Sequence, residues 1–264
     1  MKNKKSVVET RRAQIINTLN ENPHMKVDNL AALLGVSSIT IRRDLQLLES
    51  RGLVKRLYGK VKIADPLQST GHLSNSSHTR EMQAIALYAA RNMINNGDTI
   101  FMNGGQTVSK ILDYVESDKD VTIITNNLLA IRQDTPSNVH LMITGGELIA
   151  SHAVLAGEFA VPSLQTVIAS KTFLGVNGIS SMGGLTTSTI QTVVVGRTMI
   201  SSCIGPVIVL ADSSKIGTRL NFHFGDLKDV SYLVTDTKAD PDEIARIQEV
   251  GVKVILVDPD TIFN

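Results

Sequence analysis

The chain has 264 residues, of which 42% are hydrophobic, and its formal net charge at pH 7 is only +1. This length predicts one large domain or two domains, and the hydrophobic content is sufficient for a buried core. The lone Cys203 excludes an internal disulfide, and no apolar segment approaches the roughly 18 residues that a membrane-spanning helix needs. The Lys-rich start also lacks the apolar region of a secretory signal, so we expect a soluble, cytoplasmic protein without a membrane partner.

The low net charge conceals a strong asymmetry along the chain. Residues 1–62 contain 13 Lys and Arg against 5 Asp and Glu, a net of +8. Residues 63–264 contain 13 Lys and Arg against 20 Asp and Glu, a net of −7. A basic segment joined to an acidic remainder is expected of a nucleic-acid-binding module attached to a domain with a different ligand.

Hydrophobic periodicity in the basic segment predicts three helices. Apolar residues recur at helical spacing over residues 11–20 and 27–34, and Gly35 supplies the turn after the second helix. Ser37 is a good N-cap for a third helix that continues to about residue 49. Two helices, a short turn containing glycine and a third helix form the helix-turn-helix pattern, in which the last helix enters the major groove of DNA.

The third predicted helix has two distinct faces. Its apolar stripe consists of Ile41, Leu45 and Leu48, which are spaced to face a core. The opposite arc is mainly polar and basic and contains no acid; its members are Ile39, Thr40, Arg42, Arg43 and Gln46. The residues predicted to contact DNA bases, or to lie close to them, are Ser37, Ser38, Thr40, Arg42 and Arg43. The alternative is that the two arginines are solvated or pair with Asp44 and Glu49, and the excess positive charge of the segment argues against it.

Two short basic strands are predicted after this helix. Gly52 is expected to end the helix, and residues 53–63 read as two strands around Gly59. This arrangement predicts a wing beside the helix-turn-helix motif. The wing residues predicted to contact DNA are Lys55, Arg56 and Lys60. We accordingly assign residues 1–63 to a winged helix-turn-helix DNA-binding domain.

The composition changes after the wing. Residues 64–79 are rich in Ser, Thr, Gly and His and have little periodicity, which is typical of a linker. Residues 80–264 are assigned to an effector-sensing α/β domain that begins with a helix over residues 80–95. The apolar segments of strand length in this domain are 99–102, 121–125, 139–143, 171–176, 206–211, 232–235 and 252–257. Their continuous apolar character predicts a mostly parallel sheet covered on both faces.

Four polar or glycine-rich segments follow predicted strands. Because ligands of open parallel sheets bind outside the carboxyl ends of the strands, these segments are candidates for a ligand site. They are residues 103–107, 144–146, 177–187 and 212–215. In the first, the glycines allow the backbone to approach an anion, whose oxygens can bind the N–H groups at the start of the next helix and the Thr107 hydroxyl. Each segment alone is more often a tight turn or a helix cap, but their coincidence predicts a polyol-phosphate pocket.

Two sets of motifs resemble the DeoR family of bacterial transcriptional regulators. The first set lies in residues 27–61 and includes Leu34-Gly35-Val36-Ser37 and Thr40-Ile41-Arg42-Arg43-Asp44-Leu45. The second set, similar to the sensor half of the family, is Thr125-Asn126-Asn127, Gly145-Gly146, Leu174-Gly175, Gly184-Leu185-Thr186 and Asp212-Ser213-Ser214-Lys215. The chain departs from the family at two places. Tyr58-Gly59-Lys60-Val61 replaces a His-Gly-Gly-Ala-like wing. In the first sensor loop, Asn103 stands where the family more often has Asp, Gly104 where it has Ser, and Gln106 where it has the first Thr.

The resemblance implies both a fold and a function. The sensor domain is expected to be similar in fold to sugar-phosphate isomerases and CoA transferases and to bind a phosphorylated sugar or sugar acid. The predicted effector-binding residues are Asn103, Gly104, Gly105, Gln106, Thr107, Asn126, Gly145, Gly146, Thr186, Asp212 and Lys215. We expect a homo-oligomer, a dimer or a tetramer, that binds a double-stranded DNA operator and represses a carbohydrate operon until the effector relieves repression. No metal is expected because the six histidines show no ligand spacing, and no cofactor is expected.

Two other functions remain as alternatives. One is a sugar-phosphate isomerase or deaminase with a nucleic-acid-binding head, which would need a general base such as Asp212 or Glu158 beside the phosphate. We find no convincing acid–base pair and therefore expect no enzyme. The other alternative is a scaffold that binds no ligand.

Overall fold

A computed structural model describes residues 11–12, 14–16, 18–19, 22, 25–50, 54–57, 60–63, 78–132 and 135–262, without the side chains of 50, 55–57, 62–63, 132 and 262. The chain divides into two compact units, Met1–Ser74 and Asn75–Asn264. The predicted linker of residues 64–79 lies outside the described residues except for its last two positions. The domain boundaries proposed from the sequence therefore stay a prediction.

The described part of the first unit contains three helices and a small antiparallel sheet. Its elements are α1 (residues 11–12, 14–16 and 18–19), β1 (Met25–Lys26), α2 (Val27–Leu33), α3 (Ser38–Ser50), β2 (Val54–Leu57) and β3 (Lys60–Ile63). The strands lie in the order β1-β3-β2, with Val61 opposite Met25 on one side and opposite Arg56 on the other. The predicted helix-turn-helix and the two strands of the wing are confirmed. The predicted helix end at Gly52 and the turn at Gly59 lie outside the described residues.

Among the described residues of this unit, nine buried hydrophobic residues form one cluster, namely Ile15, Leu19, Leu30, Ala31, Ile41, Leu45, Leu48, Val54 and Val61. The apolar stripe predicted for the third helix supplies three of them. All three helices and both long strands therefore bury side chains in one cluster.

The second unit is built on a larger sheet. Its elements are α4 (Thr79–Met93), β4 (Thr99–Met102), α5 (Gln106–Ser109), β5 (Val121–Thr125), β6 (Val139–Ile143), β7 (Glu147–Ile149), β8 (Val154–Ala156), α6 (Val161–Gln165), β9 (Lys171–Gly175), β10 (Gly178–Ser180), β11 (Gly184–Thr187), α7 (Gln191–Ser201), β12 (Val207–Leu210), β13 (Phe222–Gly225), β14 (Tyr232–Asp236), α8 (Pro241–Glu249), β15 (Lys253–Val257) and α9 (Pro259–Ile262). Seven strands form a parallel sheet in the order β15-β14-β12-β9-β4-β5-β6. They coincide with the seven predicted strands to within one residue at each end. The predicted fold class is confirmed.

Two smaller antiparallel sheets were not predicted. β7 and β8 form a hairpin, and β10, β11 and β13 form a three-stranded sheet. Their strands have only three or four residues each, so periodicity is too short to reveal them. The hairpin contributes Val154 to the lining of the candidate ligand site.

Side chains alternate between two hydrophobic layers along the central strands. Phe101 of β4 and Leu174 of β9 lie on one face, in a cluster with residues of α6, α7 and α8. Ile100 and Phe173 lie on the other face, in a cluster with Ile85 and other residues of α4. Burial on both faces explains the continuous apolar sequence of these strands. Among the described residues, no helix has the length and apolar character needed to cross a membrane.

Candidate functional site

The start of α3 is fixed by short polar contacts. The Ser37 hydroxyl oxygen accepts a hydrogen bond from the Thr40 backbone N–H at 3.2 Å, which is the predicted N-cap. The Ser38 hydroxyl donates to Oδ1 of Asp28 in α2 at 2.8 Å. Gly35 has φ +64°, the left-handed conformation that the turn between α2 and α3 requires. These contacts hold the first turn of α3 in a defined position relative to α2.

Asp44 is a buried carboxylate within α3. Its Oδ2 atom accepts a hydrogen bond from Arg11 Nε at 2.6 Å, and its Oδ1 atom accepts one from Arg12 Nε at 2.8 Å. Only 2% of the residue is exposed. Asp44 therefore pairs with α1 and not with Arg42 or Arg43 beside it in α3, which was the alternative interpretation of the two arginines. Arg11 and Arg12, two of the cations of the basic segment, therefore stabilise the fold.

Arg42 and Arg43 remain available on the outer face of α3. Both are exposed, and neither forms an ion pair with a described residue. Lys60 in β3 is also exposed. Lys55 and Arg56 lie in β2, but their side chains are outside the described part of the structure. α3 therefore presents two cations that form no ion pair with a described residue, which suits a polyanion.

In the second unit, the strand order reverses between β4 and β9. The chain proceeds from β4 to β5 and β6 on one side, and then from β9 to β12, β14 and β15 on the other. Loops that leave the carboxyl ends of such a pair diverge and open a crevice, which is where ligands of this architecture bind. A cavity that is partly open to solvent lies here, with about 600 Å³ of empty space when the open solvent at its mouth is included. Its lining residues are Asn103, Gly104, Gly105, Asn126, His152, Val154, Gly175, Val176, Asn177, Thr187, Thr189, Thr192, Val195, Gly196 and Phe224.

Asn103 fastens the two diverging strands together. Its Nδ2 donates to the Gly175 carbonyl oxygen at 2.9 Å, and its Oδ1 accepts from the Gly175 N–H at 2.7 Å. Asn127 supports the same loop, because its Nδ2 donates to the Gly105 carbonyl oxygen at 2.8 Å. A carboxylate at position 103 could only accept hydrogen bonds. The amide of Asn103 is therefore needed to donate to the Gly175 carbonyl oxygen.

The loop after β4 has the properties of an anion-binding backbone. Gly105 has φ +135°, and a Cβ atom on Gly104 would come well inside the van der Waals distance of Val154 Cγ1. The N–H groups of Gly104, Gly105 and Gln106 donate to no acceptor in the described residues. Unpaired N–H groups in a glycine loop before a helix are suited to the oxygens of a phosphate.

Asn126 belongs to the lining of the cavity and carries an unpaired acceptor. The residue is 98% buried, since its relative exposure is 2%. Its Nδ2 donates to the Leu155 carbonyl oxygen at 2.6 Å, which fixes the orientation of the amide. Its Oδ1 has no hydrogen-bond partner among the described residues. A buried polar atom without a partner is uncommon in proteins, and here a bound molecule can supply the missing donor.

Hydroxyl and imidazole groups complete the lining. The Thr187 hydroxyl donates to Asn177 Oδ1 at 3.0 Å and lies 3.2 Å from the Thr192 hydroxyl at the start of α7. His152 follows β7, and its Nε2 lies 3.4 Å from the Thr189 hydroxyl. It is the one titratable side chain in the lining as described, which contains no Asp, Glu, Lys or Arg. The cavity can therefore bind a polar molecule, but it offers no carboxylate pair for acid–base chemistry.

Four of the predicted effector residues line this cavity, namely Asn103, Gly104, Gly105 and Asn126. Gln106 and Thr107 begin α5 just outside it. Gly145 and Gly146 form the turn from β6 into β7, with φ values of +75° and +117°. Neither of these two pairs belongs to the lining of the cavity.

The remaining three predicted effector residues have internal roles. The Thr186 hydroxyl donates to the Gly178 carbonyl oxygen at 3.1 Å and accepts from the Leu220 N–H at 3.2 Å. Asp212 is buried and caps a short 3-10 turn, Ser213–Lys215. Lys215 lies in that turn and is half-buried. None of the three belongs to the lining, so their part in effector binding stays a prediction.

Sequence reasoning did not find the contribution of the hairpin and α7. Thr187 and Asn177 lie in a segment that the sequence did single out, but His152, Thr189 and Thr192 carried no signal. They reach the strand ends only because the hairpin and α7 fold back there. The Gly157 N–H, for example, donates to the Gln191 carbonyl oxygen at 3.1 Å. Within the described residues, no group of three or more His, Cys, Asp or Glu could hold a metal ion.

Comparison with known proteins gives two family matches and several full-length relatives. Residues 11–66 match the DeoR-like helix-turn-helix domain, and residues 77–237 match the DeoR C terminal sensor domain. The uncharacterized HTH-type transcriptional regulator YulB of Bacillus subtilis (strain 168) is 32% identical over 257 residues, which cover 95% of this chain and 97% of YulB. The HTH-type transcriptional repressor GlcR of the same organism is 28% identical, with 96% and 97% coverage. The HTH-type transcriptional repressor CsqR of Escherichia coli (strain K12) is 28% identical, with 95% and 96% coverage.

Proposed function

The chain belongs to the DeoR family of DNA-binding transcriptional regulators, and from this premise we propose that it is a cytoplasmic repressor of a carbohydrate uptake or catabolism operon. A phosphorylated sugar or sugar acid is the proposed effector, and its binding relieves repression. Two of the relatives above are named repressors, which supports the direction of regulation. The proposal has a DNA-binding half and an effector-binding half.

In the DNA-binding half, a homo-oligomer inserts two copies of α3 into the major groove. The two half-sites are spaced by one helical turn of DNA, about 34–36 Å, or by a multiple of it. Lysine and arginine contacts to phosphates set the register, and the exposed Arg42 and Arg43 read base edges. The unpaired charge of these two arginines supports this role.

In the effector-binding half, the cavity beside β4 and β9 holds the metabolite. The observation that carries this proposal is that residues of one cavity lining combine unpaired backbone donors, on Gly104 and Gly105, with an unpaired buried acceptor, Asn126 Oδ1. The N–H groups of Gly104 and Gly105 suit phosphate oxygens, and Asn126 Oδ1 accepts from a sugar hydroxyl. A scaffold without a ligand would leave this buried acceptor unsatisfied, at a cost of about 1–3 kcal/mol.

The enzyme alternative is not favoured. An isomerase or deaminase needs a general base beside its substrate, and the described lining of the cavity holds no carboxylate. The relatives are named as regulators. A sensor needs only to bind its effector with different affinity in two states of the protein. A coupling free energy of about 1–3 kcal/mol changes operator affinity roughly five- to 150-fold.

A thermal-shift screen tests the effector-binding half. The protein is heated with glucose 6-phosphate, fructose 1-phosphate, 6-phosphogluconate and their unphosphorylated counterparts, with inorganic phosphate as the baseline. We expect at least one phosphorylated compound to raise the melting temperature and the counterparts to have little effect. The active compound should then release operator DNA in a gel-shift assay. Absence of any shift across an extended panel of phosphorylated sugars and sugar acids would argue for the scaffold alternative.

Two variants locate the phosphate. Asn126→Ala should lose most of the thermal shift while the unliganded protein stays folded. Lys215→Ala should keep the shift if the effector lies in the cavity, because Lys215 is outside its lining. If Asn126→Ala keeps the shift and Lys215→Ala loses it, the effector binds at the end of β12, where Lys215 was predicted to bind it.

The DNA-binding half is tested with Arg43→Ala. Loss of a bidentate base contact is expected to weaken specific operator binding by about 1–3 kcal/mol while the protein stays folded. Gel-shift titration against the operator and against random duplex of equal length measures the change. Unchanged discrimination between the two duplexes would exclude α3 as the recognition helix.

A further inference from the structure

Ile39 is a large apolar side chain that the fold leaves exposed. It is the second residue of α3, and 71% of it is accessible to solvent, whereas Ile41 in the same helix is completely buried. Single exposed apolar residues are ordinary on protein surfaces, so exposure alone decides nothing. The position of Ile39 within α3 is what requires an explanation.

Ile39 lies in the middle of the basic face. Arg42, Arg43 and Gln46 follow it by three, four and seven residues, spacings that place all four side chains on one side of a helix. All four are exposed, and no acid lies among them. Two exposed cations on this surface suit the phosphates of a nucleic-acid duplex.

The first turn of a recognition helix is the part that contacts base edges. In this chain the neighbouring hydroxyls of that turn are already engaged, since Ser38 donates to Asp28 and Ser37 lies 2.9 Å from the Thr40 hydroxyl. Ile39 is then the first-turn side chain that extends freely from the helix. The apolar feature that the major groove displays is the 5-methyl group of thymine.

We propose that Ile39 contacts a thymine methyl group in each half-site of the operator and specifies a T·A base pair there. This inference rests on the proposed DNA-binding role of α3. Arg42 and Arg43 supply attraction and hydrogen bonds, while Ile39 discriminates by removing a methyl group from water. Burial of one methyl group is worth about 0.8 kcal/mol, which corresponds to a factor of roughly four in affinity.

The experiment uses the full-length protein and an operator selected by that protein from a pool of random duplexes. Each thymine of one half-site is replaced in turn by deoxyuridine, which lacks only the methyl group. We expect one position at which the replacement weakens binding about fourfold. Ile39→Ala should bind the thymine duplex more weakly, and it should lose the preference at that position, so that both duplexes bind equally.

Leu33→Ala is the matched control, because Leu33 is a comparable exposed apolar residue, 64% accessible, that lies in α2 instead of α3. It should keep the fourfold preference. The inference is overturned if no thymine replacement changes the affinity of the parent protein, or if Ile39→Ala retains the preference. Dissociation of the oligomer by Ile39→Ala with the preference intact would assign the residue to a protein contact. Failure of the parent protein to select any duplex would instead refute the proposed function itself.

Discussion

The two units of this protein maintain their folds in different ways. Among the described residues, the first unit has nine buried hydrophobic residues in its core, whereas the sheet of the second unit separates clusters of 22 and 21. The first unit also buries a carboxylate, Asp44, that joins α3 to α1 through two arginines. A small unit whose stability depends on few contacts is expected to be sensitive to single changes. The second unit spreads its stability over two layers and can leave Asn126 Oδ1 unpaired at its cavity.

The largest effect is expected from Asp44→Asn, which preserves shape but removes the charge that Arg11 and Arg12 face. Removal of one partner from a buried ion pair costs up to about 3–5 kcal/mol, and partial exposure of the arginines places the loss toward the lower end. In a unit as short as Met1–Ser74, the hydrophobic core supplies little more than about 3–5 kcal/mol in total. We therefore expect the first unit to unfold and DNA binding to disappear, while the second unit melts normally. Calorimetry and hydrogen exchange measure the two units separately.

Asp28→Asn is the control for that experiment. Asp28 accepts a single hydrogen bond from Ser38 at an exposed site, so its loss should cost under about 1 kcal/mol. If both variants left the first unit equally stable, the small hydrophobic core would be sufficient by itself, and the contrast between the two units would be wrong.

The partners of Asp44 are an example of contacts that could not be predicted from the sequence. Periodicity identified the stripe of Ile41, Leu45 and Leu48 and the seven strands, because each is a local pattern that burial imposes on the chain. The partners of Asp44 are more than 30 positions away, and no local pattern encodes that distance. The same limit applies to the cavity. Its first loop was recognisable from Gly104 and Gly105, but His152 reaches the site only through the fold of the hairpin.

The second prediction concerns Gly104→Ala. The new Cβ atom meets Val154 Cγ1 at the cavity wall, and overpacking of this kind costs about 1–3 kcal/mol. Because the second unit has a large core, we expect it to stay folded with a lower melting temperature. Its response to the active sugar phosphate in the thermal-shift assay should be lost, since the loop that offers the N–H groups must move.

Relief of the clash provides the control for Gly104→Ala. The double variant Gly104→Ala with Val154→Ala removes the atom that the new methyl group meets, so it should regain much of the ligand response. A single variant that responds as strongly as the parent protein would show that the effector does not contact this loop.

The third prediction uses pH to test how the second unit depends on a buried carboxylate. Burial raises the pKa of Glu243, but hydrogen bonds from the Ser181 N–H at 2.6 Å, from Arg246 at 2.9 Å and from the Ser181 hydroxyl outweigh it, so the pKa lies below its ordinary value. A lowered folded-state pKa stabilises the protein above the ordinary value, about 4.3, and this contribution is lost as the pH falls through the folded-state pKa. Glu243→Gln should cost about 1–2 kcal/mol at pH 7 and progressively less below pH 4.

Melting temperatures of the parent protein and the variant between pH 3 and pH 7 measure this difference. Glu81 remains in both proteins, and its pKa is lowered chiefly by a hydrogen bond from Lys238, so both curves retain some acid sensitivity. Only the difference in melting temperature between the two curves is attributable to Glu243. A difference that stays constant across the whole range would mean that the glutamate stabilises the unit by shape and not by charge.

The smallest effect is expected from Asn103→Asp, which installs the residue that the DeoR family more often carries. The aspartate can still accept from the Gly175 N–H, but it cannot donate to the Gly175 carbonyl oxygen, so one hydrogen bond worth about 1 kcal/mol is lost. The two strand ends should separate slightly, and a negative charge would enter the cavity wall beside the proposed phosphate. We therefore expect a melting temperature only slightly below that of the parent protein, together with a several-fold weaker response to the sugar phosphate that worsens at low ionic strength, where charge repulsion is less screened. If the variant bound the sugar phosphate more tightly, Asn103 would be a determinant of effector identity instead of a clamp between β4 and β9.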